Sequence, residues 1–62
     1  MERVFDIFRH NPDGRLVFVG SAQTLQSSHQ LVRSTASAPT ERFAIYNVFT
    51  REITYLSADG SD

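Results

Sequence analysis

Two histidines, His10 and His29, are the residues of this chain best suited to acid–base catalysis or to metal binding. His10 lies beside a predicted turn with Asp13 nearby, whereas His29 has no carboxylate or second histidine three or four residues further on. Metal sites need three or four converging ligands, and this spacing does not supply them. We therefore interpret both histidines as surface residues.

The serines and carboxylates also lack the arrangement of a catalytic centre. No Gly-x-Ser-x-Gly motif occurs, and the three glycines form no phosphate-binding loop. Asp6 is read either as a solubilising charge or as the partner of an arginine in a second subunit. We predict a protein that is not an enzyme, with no catalytic, cofactor-binding or metal-binding residues.

Length and composition limit the remaining possibilities. The 62 residues, with a net charge of −1 and no cysteine, suffice for one small domain whose core alone is marginal. All six basic residues are arginines, and they are dispersed rather than clustered. Because no apolar run approaches about 18 residues and the N-terminus does not resemble a secretory signal, we expect a cytoplasmic protein without a membrane span.

The first half of the chain predicts a β-hairpin. The turn Asn11-Pro12-Asp13-Gly14 is typical of a three-residue loop that ends in a left-handed glycine. Counting back from it gives the predicted pairs His10–Leu16, Arg9–Val17, Phe8–Phe18, Ile7–Val19 and Asp6–Gly20. Both faces of this hairpin are apolar, since Phe5, Ile7, Val17 and Val19 share one and Val4, Phe8, Leu16 and Phe18 the other.

A helix and a second hairpin follow. Thr24 is a plausible N-cap for a helix over Leu25 to Ser37, whose buried stripe would hold Leu25, Ser28, Leu31, Val32 and Thr35. We expect the Ser28 hydroxyl to bond a helical carbonyl. Strands over Glu41–Asn47 and Glu52–Leu56 flank a four-residue loop, in which Arg51 would take the position that glycine adopts most easily.

The element order ββαββ predicts an α+β fold, with a four-stranded antiparallel sheet and one helix on one face. Strand order 2-1-3-4 is favoured, and order 1-2-3-4 with a parallel central pair is the alternative. Residues 1–56 would form the domain and residues 57–62 a flexible C-terminal tail.

The chain also resembles a pattern found in short, uncharacterised bacterial proteins. The resemblance rests on the segments Phe5–Arg9, Asn11–Gly14, Leu16–Val19, Thr24-Leu25, Leu31–Arg33, Tyr46-Asn47 and Thr50–Glu52. The chain departs from the pattern at Arg51, where glycine is usual, and at Gln26 and Ser27, where acidic residues are usual. The resemblance implies no activity.

The sheet face that the single helix cannot cover is the strongest functional signal. Its predicted interface residues are Val4, Phe8, Leu16, Phe18, Tyr46 and Tyr55. Three or four exposed aromatic side chains exceed what a soluble monomer usually leaves open. We predict self-association as a homodimer, through stacked sheets or joined edges, or docking to another protein.

Two further interpretations remain. A platform for single-stranded nucleic acid would use the same aromatic side chains, but the net charge of −1 disfavours it. A more strongly curled sheet would instead bury these side chains within one copy.

Overall fold

The computed structural model describes residues 4–59, which form two β-hairpins joined by a helix. The elements in chain order are β1 (Phe5–His10), β2 (Leu16–Ala22), α1 (Leu25–Thr35), β3 (Arg42–Asn47) and β4 (Ile53–Ser57). The four strands make one antiparallel sheet in the order β2-β1-β3-β4, and α1 packs on one face. The predicted α+β fold and the favoured strand order are both confirmed.

The β1–β2 turn has the geometry that its sequence predicts. The Gly14 amide donates to the Asn11 carbonyl at 2.9 Å, and the Asn11 amide donates to the Arg15 carbonyl at 2.9 Å. Gly14 has a φ of 89°, a left-handed conformation that glycine adopts without steric cost. The turn therefore fixes the pairing of Phe8 with Phe18.

The predicted register is wrong beyond Phe8, because a β-bulge interrupts β2. Ile7 pairs with Gly20 rather than Val19, and Asp6 pairs with Ser21 rather than Gly20. A Cβ atom on Gly20 would lie 3.0 Å from Leu31 Cδ2. The extra residue thus places Gly20, which has no side chain, under the helix. Val19 still packs against the core.

The helix begins as predicted and ends two residues early. Thr24 Oγ1 accepts a hydrogen bond from the Ser27 amide at 3.0 Å, and the buried Ser28 hydroxyl donates to the Thr24 carbonyl at 2.9 Å. Val32 is also buried, but Leu25 is 54% exposed, so the predicted stripe does not extend to the first turn. Leu25 is the first residue of the helix.

The core lies between α1 and the sheet face that it covers. Its fully packed members are Ile7, Val32, Phe43, Ile45, Leu56 and Ala58. Ile7, Phe43 and Ile45 come from the two central strands, which is why they lose nearly all contact with water. Burial of these apolar side chains is the main favourable term in folding.

The β3–β4 hairpin has the predicted register, with Tyr46 opposite Ile53 and Ala44 opposite Tyr55. Asn47 organises its turn: the side-chain oxygen accepts from the amides of Phe49 and Thr50 at 2.9 and 3.1 Å. The Arg51 amide donates to the Asn47 carbonyl at 2.8 Å, and Arg51 has a φ of 64°. An arginine therefore occupies the left-handed position expected from the sequence.

The described structure continues beyond Leu56, the last residue of the predicted domain. Ser57 belongs to β4, and Ala58 is buried in the core. The Ala58 amide donates to the Glu41 carbonyl at 2.9 Å, and the Asp59 amide donates to the Pro39 carbonyl at 3.1 Å. Ser57 thus pairs with Arg42 of β3, and backbone hydrogen bonds to the segment before β3 hold residues 58 and 59. Residues 60–62 of the predicted tail lie outside the described residues.

Replacing Arg51 by glycine should raise the free energy of unfolding by up to about 1 kcal/mol. The substitution removes the strain of a left-handed residue that carries a Cβ atom. The greater conformational entropy of glycine in the unfolded chain offsets part of this gain. Urea titration followed by circular dichroism would measure it. Arg51→Ala is the control because it removes the guanidinium but keeps Cβ; equal stabilisation by both variants would contradict the strain.

Candidate interaction surface

The sheet face opposite α1 carries the even-numbered residues of β1 and β3, because side chains alternate along a strand. We call it the outer face and describe it as three rows across β2, β1, β3 and β4. The first row is Leu16, His10, Arg42 and Ser57; the middle row is Phe18, Phe8, Ala44 and Tyr55; the third row is Ser21, Asp6, Tyr46 and Ile53. No helix or strand of the described residues lies over these rows.

The middle row is apolar across all four strands. The rings of Phe8 and Phe18 meet edge to face with centroids 5.7 Å apart, and Phe18 is 59% exposed. Ala44 has no accessible surface, because its small side chain lies between the larger side chains of Phe8 and Tyr55. The row is therefore continuous, with its exposed part supplied by the aromatic rings.

All six predicted interface residues belong to this side of the sheet. Leu16, Phe18 and Tyr55 are exposed; Phe8 and Tyr46 are half-buried. Val4 is half-buried and directly precedes β1, where continued alternation places it on the same side as Asp6 and Phe8. Its carbonyl accepts a hydrogen bond from the Val48 amide at 2.9 Å. Phe8 and Phe18 are thus not enclosed in a core, as they would be in the more strongly curled sheet.

Ile53 is an exposed member of the outer face that the sequence prediction omits. The signal was present in the predicted register, since Ile53 lies opposite Tyr46 and shares its face. Other exposed apolar residues, Val17, Leu25 and Phe49, lie outside the three rows. The outer face is therefore the place where exposed apolar side chains are contiguous.

Polar side chains occupy the two ends of the outer face. In the third row, Asp6 Oδ1 accepts a hydrogen bond from the Ser21 hydroxyl at 3.2 Å. In the first row, the His10 ring lies against the Tyr55 ring with centroids 5.1 Å apart. Arg42 pairs with His10 in the sheet and is exposed. The face thus has an acidic end and a basic end on either side of the apolar row.

A cleft of about 650 Å³ lies beside the basic end, between the β1–β2 turn and the segment that precedes β3. Arg9 and Glu41 line it: Arg9 Nε lies 2.8 Å from Glu41 Oε2, in an ion pair without the alignment of a hydrogen bond. The Ser37 amide donates to Glu41 Oε1 at 2.8 Å, and Arg9 Nη2 donates to the Thr35 carbonyl at 3.5 Å. These contacts tie the helix end to β1.

The two histidines lie far apart in the fold. His10 is on the outer face of β1, whereas His29 is half-buried on α1. Within residues 4–59, no three histidine or carboxylate side chains converge as a metal ion would require. In the same part of the chain, α1 is not long and apolar enough to cross a membrane.

Comparisons with protein-family models, with curated proteins and with solved structures each give no match for the chain. The geometry of the outer face therefore carries the functional argument.

Alanine substitutions should separate the outer face from the core. Phe43→Ala should lower the free energy of unfolding by about 3–5 kcal/mol, because Phe43 is fully buried. Phe18→Ala should cost about 1 kcal/mol, mainly through the lost edge-to-face contact with Phe8. Urea titrations at several protein concentrations would measure both and reveal any contribution from association. Equal losses would show that Phe18 belongs to the core.

Proposed function

We propose that this protein acts by self-association, with the outer faces of two copies stacked in a homodimer, and that it binds rather than catalyses. The observation that carries this proposal is the continuous apolar middle row, whose outermost ring, Phe18, is 59% exposed. Exposed apolar surface of this extent is favourable to bury. A second copy presents the same surface and therefore matches it in size and chemistry.

The dimensions of the outer face suit a weak but specific dimer. Four strands at about 4.8 Å spacing and about six residues of length give a face of roughly 19 by 20 Å. Stacking two such faces, with their side-chain relief, removes on the order of 1,000 Å² of surface from water, near the lower limit for specific association. We therefore expect a dissociation constant in the micromolar range.

The edges of the sheet favour face stacking over edge joining. One edge strand, β2, contains the bulge opposite Ile7, which interrupts the regular row of backbone donors and acceptors. The other edge strand, β4, has only five residues. A short strand and a bulged strand are both poor templates for pairing with another chain.

The charges of the outer face support protein contact over nucleic-acid binding. Its three rows contain one arginine, Arg42, and one carboxylate, Asp6. Binding to phosphates normally requires a concentrated basic surface. The nucleic-acid alternative predicts a salt-dependent mobility shift on mixing with oligo-dT, and the dimer proposal predicts none at low salt.

Sedimentation equilibrium from about 1 to 200 μM should detect a reversible monomer–dimer equilibrium for the unmodified chain. Phe18→Arg should shift this equilibrium to monomer while circular dichroism shows an unchanged fold, because the substitution places an arginine from each copy within the apolar contact.

Val17→Arg is the matched control. Val17 is the neighbouring residue of β2, is 44% exposed, and lies on the opposite side of the strand. It should leave the dimer intact. A strictly monomeric unmodified chain at 200 μM would refute self-association, and dissociation by both variants would place the contact elsewhere than on the outer face.

A further inference from the structure

The outer face carries its charges asymmetrically along the strands. Asp6 lies in the third row on β1, and Arg42 lies in the first row on β3, beside His10. The rows are about 7 Å apart, so the acidic and basic ends are separated by about 14 Å. This separation allows the orientation of a stacked second copy to be deduced from charge.

Two orientations of a two-fold axis keep the strands of stacked sheets aligned, as sheet packing favours. An axis parallel to the strands keeps each row facing the same row but reverses the strand order. His10 then faces Arg42 of the second copy, and Arg42 faces His10. This arrangement leaves Asp6 opposite Tyr46. It also places each Asp6, and each Arg42, one strand spacing of about 4.8 Å from its own counterpart, so like charges lie close together.

An axis perpendicular to the strands reverses the rows and keeps the strand order. The middle row then lies on the axis, so Phe8 and Phe18 each meet their own counterparts. Asp6 lies opposite His10 of the second copy, and one strand spacing of about 4.8 Å separates it from Arg42 of that copy. Both contacts occur twice by symmetry. Opposite charges meet, and the aromatic side chains remain in the centre.

The chemistry of both ends is compatible with this contact. Asp6 accepts a hydrogen bond from the Ser21 hydroxyl, and a carboxylate offers about four acceptor positions. His10 Nδ1 is buried without a hydrogen-bond partner in the described residues, which leaves Nε2 as the ring nitrogen for an external carboxylate. Arg42 is exposed.

We propose that the dimer has its two-fold axis perpendicular to the strands, so that Asp6 of each copy faces His10 and Arg42 of the other. This inference rests on the proposed self-association and specifies its geometry. The reciprocal charge contacts select one of two stackings that bury similar apolar surface.

Charge reversal tests the orientation. In the Asp6→Arg variant, residues 6 and 42 are both basic. In the Arg42→Asp variant, they are both acidic. Each variant alone should dimerise at least about tenfold more weakly than the unmodified chain, because like charges then meet twice. An equimolar mixture should form a heterodimer, since each copy supplies the charge that the other lacks. Sedimentation equilibrium and native mass spectrometry would measure both effects.

The neutral pair Asp6→Asn and Arg42→Gln provides a milder second test. In a double-mutant cycle, the combined variant should weaken the dimer by less than the product of the two single effects. The proposed orientation would be overturned if the two neutral substitutions had independent effects. It would also be overturned if the mixture of Asp6→Arg and Arg42→Asp chains associated no more strongly than either variant alone. In both cases a dimer of the unmodified chain would still support self-association. A monomeric unmodified chain would refute the proposed function itself.

Discussion

Within residues 4–59, one eleven-residue helix faces a four-stranded sheet, and the rest of the structure depends on this mismatch in covered area. The helix shelters Ile7, Phe43 and Ile45 on the central strands and leaves the opposite face open. Side chains alternate along each strand, so half of them lie on that opposite face. Bulky apolar side chains there strengthen the sheet but also add exposed apolar surface. The outer face is therefore a consequence of the topology.

Small residues allow the helix to approach the sheet closely. Gly20 lies beneath Leu31, and the buried Ser28 bonds back to the Thr24 carbonyl rather than demanding a partner in the core. The helix contacts the sheet over a limited area, so the core is small. A chain of 62 residues with such a core gains proportionately more from association than a larger domain would.

Local sequence signals predicted the turns and the strand order. Asn11–Gly14 and the Asn47 turn specify their loops through backbone conformation and short hydrogen bonds, so their registers follow from adjacent residues. The β2 bulge, the exposure of Leu25 and the inclusion of Ser57 and Ala58 depend on contacts between distant parts of the chain. The bulge places Gly20 beneath Leu31, and the Ala58 amide donates a hydrogen bond to the Glu41 carbonyl. Periodicity alone does not contain such information.

The same division applies to the outer face. Its six predicted members follow from alternation along the strands, and the predicted strand order places β1 beside β3. The continuity of the middle row also depends on the register of β1 against β3, which only the tertiary fold supplies. Asp6 and Arg42 likewise lie on β1 and β3, two strands that are distant in sequence, so the separation of their charges depends on the tertiary fold. The sequence thus predicts the apolar residues of the outer face, whereas the charge pattern around them depends on the assembled sheet.

An isotope-filtered NOE spectrum of a mixture of labelled and unlabelled chains tests most directly whether a second copy covers the outer face. A stacked dimer should give intermolecular contacts among the ring protons of Phe8, Phe18 and Tyr55 at concentrations where the dimer is populated. Intermolecular contacts confined to residues outside the three rows, such as Leu25 and Phe49, or none at all at such concentrations, would contradict it.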